Sequence, residues 1–154
     1  MKKQKGFSLI ELLIVVAIIL IIAAIAIPNL IKSKMAANEA SAVGSLRTLT
    51  TSQIQYSSQC PTFGFGSTLA VLGPGPGDCT GANLIDNQLV TGNKSGYTFT
   101  LTPGAAVGGI VPTFTVLADP QSASTGTRHF FVNETGVIRY NQAAAAKATD
   151  PALQ

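Results

Sequence analysis

The rhythm of apolar and polar positions changes twice along this chain. Residues 12–27 are apolar without interruption, and no charge occurs from Leu12 to Ile31. At about 1.5 Å of rise per residue, that stretch is long enough as a helix to cross a hydrocarbon core of about 30 Å. From residue 30 to 56 the pattern becomes amphipathic. The segment has no proline, one glycine (Gly44), and many good helix formers, among them Lys32, Lys34, Met35, Ala36, Ala37, Glu39 and Ala40. Apolar positions Ala36, Ala40, Val43, Leu46, Leu49 and Ile54 recur at spacings of three to five. The expectation is one long helix from about Phe7 to Tyr56, apolar all round in its first half and on one face in its second. Pro28 removes one backbone hydrogen bond and crowds the preceding turn. It marks a bend or a helix end at a membrane exit, and the helix formers that follow favour continuation.

After the helix the punctuation changes. Residues 57–95 read as a connecting loop, with Pro61, Gly64, Gly66 and the run Gly73-Pro74-Gly75-Pro76-Gly77. Residues 97–102 (Tyr-Thr-Phe-Thr-Leu-Thr) then alternate apolar with threonine, as a half-buried strand does. Pro103-Gly104 ends that strand, residues 113–118 form a second, and Asp119-Pro120 stops it. Residues 128–132 and 137–140 make a hairpin about Asn133-Glu134-Thr135-Gly136. The predicted fold class is therefore α+β: a long N-terminal helix packed on a C-terminal antiparallel sheet of about four strands, which covers the helix's second-half stripe. Residues 143–154, rich in alanine and polar groups, read as a flexible tail. The expected divisions are a leader at 1–6, a membrane or filament-core half-helix at 7–31, a globular domain at 32–142 and the tail.

Charge sharpens the picture at one end. The chain has 154 residues and a formal net charge of +3, but Lys2, Lys3 and Lys5 lie in the first five positions. Without residues 1–6 the basic count falls from ten to seven, against seven acids. No basic cluster survives outside the leader, which argues against nucleic acid as a partner. The lysines place the N-terminus on the cytoplasmic side and the bulk of the chain outside. In an exported domain, Cys60 and Cys79 are a candidate disulfide, with free thiols as the alternative. A metal site wants further ligands, and the only histidine, His129, lies 50 positions on.

Three readings of the N-terminal segment compete. One is a secretory signal peptide cut at Ala24-Ile25-Ala26, releasing a soluble domain near Ala26; another is a plain signal anchor. Neither accommodates Glu11, because a carboxylate inside an apolar membrane helix costs about 2.5–3.5 kcal/mol even on lenient scales. The third supplies a partner. Cutting between Gly6 and Phe7 creates an α-amino group four residues before Glu11, about one helical turn away. In a stack of such helices, the carboxylate of one copy can neutralise the amine of its neighbour, and buried charges are tolerated when so paired. The residues Lys5-Gly6-Phe7-Ser8-Leu9-Ile10-Glu11-Leu12-Leu13-Ile14-Val15-Val16-Ala17-Ile18 closely resemble the leader and helix start of type IV prepilins and pseudopilins. The resemblance implies cleavage after Gly6 by a prepilin peptidase, N-methylation of Phe7, and a role for Glu11 in registering subunits during assembly. Pro28, followed by Asn29, matches the proline at which that family's helix bends. Beyond about residue 30 the likeness is one of layout.

Catalytic and cofactor chemistry finds little footing. His129 falls in a predicted strand, and no zinc-protease, nucleophile-elbow or dinucleotide pattern occurs. The glycine run lacks the Lys-Ser/Thr of a phosphate loop. Asp78, Asn83, Asp86 and Asn87 are a calcium candidate without the spacing of a calcium loop. Asn93-Lys94-Ser95 and Asn133-Glu134-Thr135 fit a glycosylation tripeptide that is common by chance. The expectation is a structural protein rather than an enzyme, with no cofactor. It self-associates into a pilus or pilus-like filament on an inner-membrane platform, passing from the inner membrane with lipid about its helix to the cell exterior. The alternative within that class is a pseudopilin of a type II secretion system, forming a periplasmic filament.

Overall fold

The computed structural model describes residues 6–153; Met1–Lys5, with the leader lysines, and Gln154 lie outside the described residues. Helix α1 runs Leu9–Gln59 with Pro28 inside it. The chain divides into two compact units, one ending at Lys34 and one beginning at Met35. In the first, the described residues to Lys34 are exposed apart from a half-buried Ala23.

The second unit, the head, is built on Met35–Gln59 of α1. Its buried positions include Glu39, Ala42, Leu46, Leu49, Gln53, Tyr56 and, just past the helix, Cys60. Those seven alternate at spacings of three and four, the seam of a helix that shows one narrow face to its partner. The expected stripe met this seam only at Leu46 and Leu49: Ala36, Ala40 and Ile54 are exposed, and Val43 is half-buried. The reason is chemical. Two seam positions hold Glu39 and Gln53, so a reading that follows apolar residues alone drifts onto the neighbouring face.

The sheet has five strands in chain order: β1 (Asn93–Lys94), β2 (Tyr97–Pro103), β3 (Phe114–Pro120), β4 (His129–Asn133) and β5 (Arg139–Asn141), all antiparallel. Register places Phe99 opposite Ala118, Ala118 opposite Phe130, and Phe130 opposite Tyr140. That row and its neighbour Leu101–Val116–Val132 join the same apolar core as Ala42, Leu46 and Leu49 of α1. The α+β architecture expected from the sequence is thus present, with differences at its margins. The polar pair Asn93–Lys94 adds an edge strand, turned back through Ser95 (φ +50°) and Gly96 (φ +73°). β3 runs through Asp119-Pro120 because a proline at a strand's last position forfeits little of the ladder.

Residues 57–95 are more ordered than a plain connector. They contain two one-turn helices, α2 (Leu69–Leu72) and α3 (Asn87–Val90), whose Leu72 and Leu89 enter the core. Cys60 and Cys79 form a disulfide, with Cα atoms 5.8 Å apart.

The expectation of a flexible tail is corrected. Leu153 N–H donates to Ile138 O at 2.8 Å, Tyr140 N–H donates to Pro151 O at 3.1 Å, and Ala152 bridges Arg139. Ala146 is buried and Leu153 packs on the core. Composition alone looked unstructured because the ordering force is the unpaired edge of β5, which the last residues cover.

Candidate functional site

The chemistry-bearing end of the first unit is its start. Ser8 precedes the helix, and its backbone N–H donates to Glu11 Oε2 at 2.9 Å, while Ser8 O accepts from Leu12 N–H at 3.2 Å. This is half of a capping box: the acidic residue at the third helical position reaches back and satisfies an orphan N–H. Ser8-Leu9-Ile10-Glu11 carries the Ser-x-x-Glu signature of that motif, a signal the hydropathy pattern hid. Glu11 therefore has a local role in starting the helix, and a negative charge there also suits the helix dipole.

Gly6 has open space around its Cα and Phe7 is among the most exposed apolar residues of the chain. From Phe7 to Ile31, exposed side chains include Leu12, Leu13, Ile14, Ile18, Leu20 and Ile25. An 18-residue window of α1 in this half is long and apolar enough to cross a membrane, and none of it is buried. A continuous exposed apolar surface of this extent requires a cover of lipid or protein.

The head holds the second notable carboxylate, one that sequence reading counted only as a helix former. Glu39 is 6% exposed. Its Oε1 accepts from Thr127 N–H at 2.9 Å, Thr127 Oγ1 at 3.0 Å and Arg128 N–H at 3.2 Å. Its Oε2 accepts from Arg128 Nε at 2.7 Å. Burial alone would raise the Glu39 pKa; the Thr127 N–H, the Arg128 guanidinium and the Thr127 hydroxyl together outweigh it and hold the carboxyl below its ordinary value. Arg128 in turn lies over the rings of Phe130 and Tyr140, at 5.6 and 5.7 Å from their centroids. Asn38 Nδ2 donates to Thr125 O at 2.9 Å beside it. These bonds tie the first turns of α1 within the head to the segment that leads into β4.

Gln53 performs a similar service near the other end of the helix. Fully buried, it donates from Nε2 to Gly66 O (3.1 Å) and accepts at Oε1 from Gly66 N–H (2.7 Å). Tyr56 Oη donates to Cys79 O at 2.8 Å, and burial, then the Asp78 charge, raise its pKa. Among the described residues no buried side-chain nitrogen or oxygen lacks a partner.

Of the calcium candidates, Asp78 Oδ1 is engaged by Thr80 N–H and Oγ1 at 2.8 and 2.6 Å. Asp86 caps α3 through Leu89 N–H at 2.8 Å and pairs with Lys94 Nζ at 2.9 Å. Among the described residues no group of three or more His, Cys, Asp or Glu is gathered for a metal ion. His129 Nδ1 bonds Asp119 Oδ1 at 2.6 Å.

Comparison with known proteins points the same way as the segment. A family model described as the prokaryotic N-terminal methylation motif matches residues 1–27. The chain is 35% identical over 133 residues to the type IV major fimbrial protein FimA of Dichelobacter nodosus, spanning 80% of this chain and 70% of that one. It is 49% identical over 57 residues to the type IV major pilin protein PilA of Myxococcus xanthus, 37% of this chain and 26% of that one. Over 39 residues it is 59% identical to the type IV wide pilus major component of Thermus thermophilus, 25% of this chain and 30% of that one. The chain thus covers less than a third of the length of two of these relatives. No solved structure matches.

Proposed function

The chain belongs to the type IV pilin family, and from that premise we propose that it is a structural subunit of a type IV pilus or pilus-like filament. The precursor sits in the inner membrane through Phe7–Ile31, with its head outside. A prepilin peptidase cuts between Gly6 and Phe7, Phe7 is N-methylated, and an inner-membrane assembly platform moves the subunit from lipid into a filament that reaches the cell exterior. There the Phe7–Ile31 segments of many copies bury one another, and Pro28 relaxes the helix where the segment leaves its apolar surroundings.

The observation that carries this reading is the exposed apolar half of α1, interrupted by a single carboxylate at its start. Among the described residues Glu11 has one hydrogen bond, accepted from the N–H of the residue next to Phe7. A carboxylate accepts several, so capacity remains for the amine of a neighbour's Phe7. The relatives, each a pilus or fimbrial component by name, favour a pilus over a secretion pseudopilus.

The test is the mass and N-terminus of the mature protein. N-methyl-Phe7 supports the reading; a chain beginning at Ile27, as ordinary signal peptidase would leave it, overturns it. Glu11→Ala is expected to give a processed, membrane-held subunit with strongly reduced filament yield, and a normal yield would sink the amine–carboxylate pairing.

A further inference from the structure

The head carries an apolar knob at one end and a groove at the other. Between β2 and β3 the chain reverses in a two-residue turn. Val107 N–H donates to Ile110 O at 2.8 Å and Ile110 N–H donates to Val107 O at 3.1 Å, with Gly108 (φ +61°) and Gly109 (φ +87°) at the corner. Two successive positive φ values suit glycine and fix the turn type. The turn's base is fastened to the loop after α1: Val111 N–H donates to Phe63 O at 2.8 Å, and Phe65 N–H donates to Val111 O at 3.0 Å. At this braced tip Val107 is 71% exposed, Ile110 43% and the adjoining Phe63 54%. No charged residue occurs between Lys94 and Asp119. Single exposed apolar residues are ordinary, but three gathered on one uncharged, hydrogen-bonded tip make an apolar patch.

The groove, about 380 Å³, is lined by Pro120, Ala123, Gly126, Thr127, His129 and Gln142, among others. It has room for two branched aliphatic side chains. Asp119, next to it, is already bonded to His129. The groove belongs to the end of the head where α1 begins within it, since Thr125 and Thr127 bond Asn38 and Glu39. The knob belongs to the end where α1 stops, beside Cys60–Phe65. About twenty helical residues separate the two, roughly 30 Å along α1.

We propose that the Val107–Ile110 turn of one copy seats in the Pro120–His129 groove of the next copy, as a head-to-tail contact between heads. The proposal rests on the filament reading above and specifies how its heads meet. Copies stacked with their α1 helices parallel are displaced along that helix, so the knob end of one faces the groove end of another. Two unlike patches at opposite ends form a heterologous contact, which propagates instead of closing on itself. The occupant is therefore a second copy of this chain.

The test uses the full chain carrying Val107→Cys and Ala123→Cys together, assembled into filaments and joined through its new thiols by mild oxidation or a short bismaleimide. A ladder of covalent trimers and longer species is expected from the double variant, and nothing beyond dimers from either single variant. Val107→Asp is expected to cut filament yield at least tenfold without shifting the head's melting temperature, while Val107→Leu keeps the wild-type yield. Filaments of the double variant that give no ladder, or wild-type yield from Val107→Asp, overturn the contact and leave the filament reading intact. If the unmodified chain forms no filaments, the filament reading itself fails. Peptide mapping of the Cys60–Cys79 pair guards against exchange with the new thiols; where exchange occurs, the Val107→Asp yield decides.

Discussion

Replacing Glu39 by Gln tests whether the head is held to its helix by charge. The substitution keeps shape and one acceptor oxygen, which can still serve the N–H groups of Thr127 and Arg128. It puts an amide N–H₂ where Oε2 now accepts from Arg128 Nε at 2.7 Å, so donor meets donor. A hydrogen bond to a charged group contributes about 1.5–3 kcal/mol, and breaking a fully buried pair costs about 3–5 kcal/mol. The Arg128 side chain is 34% exposed, and water can compensate it in part. A loss of about 2–3 kcal/mol follows, which for a head of this size lowers Tm by roughly 8–12 °C. The measurement is a near-ultraviolet circular dichroism melt of the full chain in detergent, which reports the head's tyrosines. pH gives a second constraint. The folded pKa of Glu39 lies below its ordinary value of 4.5, so above about pH 4.5 the carboxylate is charged in both states and its contribution is complete. As pH falls toward the depressed folded value, the unfolded chain takes up a proton first and the advantage drains away. The gap between wild type and Glu39→Gln should therefore be widest near pH 7 and shrink below pH 4.5. A gap under about 0.5 kcal/mol, within the range of an ordinary surface substitution, or one that does not shrink in acid, would refute the charge argument.

Three further outcomes follow from the head. The Cys60→Ser, Cys79→Ser double variant should lose about 3 kcal/mol in urea unfolding, as expected for a loop of this length, and should show no further response to reductant. Gln53→Leu should cost about 2–4 kcal/mol by leaving both the N–H and the O of Gly66 unpaired in a buried site; a wild-type urea midpoint would count against the clamp. Gly126→Ala would drive a methyl group into Tyr97 Oη, which now donates to Arg128 O at 2.8 Å, and should cost about 1–3 kcal/mol by the same assay.

The parts legible in the sequence were those whose cause is local. Threonine alternation marked β2, and the uninterrupted apolar run marked the first half of α1, because each pattern is written in residue types that serve one environment. The parts that escaped depend on partners distant in the chain. Glu39 looked like a surface helix former, since its reason for burial, Thr127 and Arg128, lies nearly ninety residues on. Gln53 was invisible because its partner is the backbone of Gly66, in a loop whose residue types give no sign that it folds back on the helix, and those two together displaced the expected stripe by part of a turn. The tail looked loose because the β5 edge that orders it has no signature of its own. A seam traced at spacings of three and four with polar residues admitted would have recovered 39, 42, 46, 49, 53, 56 and 60. Its cost is tolerance for buried charge, which sequence alone cannot justify.

The contrast between the two helix carboxylates bears on how a filament would form. Glu39 sits among four bonds from two residues, and nothing about it calls for a further partner. Glu11 occupies the same helix with one bond among the described residues, from Ser8 N–H, and is exposed beside an apolar surface. In water that state is inexpensive. Once the Phe7–Ile31 segment is covered, whether by lipid or by like helices, the water around Glu11 is lost and its unused acceptor sites become costly. A neighbour's α-amino group removes the cost, whereas a lipid chain does not, so desolvation favours pairing between copies over dispersal of single helices. On the proposed reading the amine exists only after a cut at Gly6, so the same chemistry would make processing a precondition for assembly: an uncut subunit would carry the carboxylate without its counter-charge. An uncleavable Gly6→Val chain is accordingly expected to remain in the membrane at full length and stay out of filaments made by the wild type, and its incorporation at wild-type levels would show that Glu11 finds its partner elsewhere.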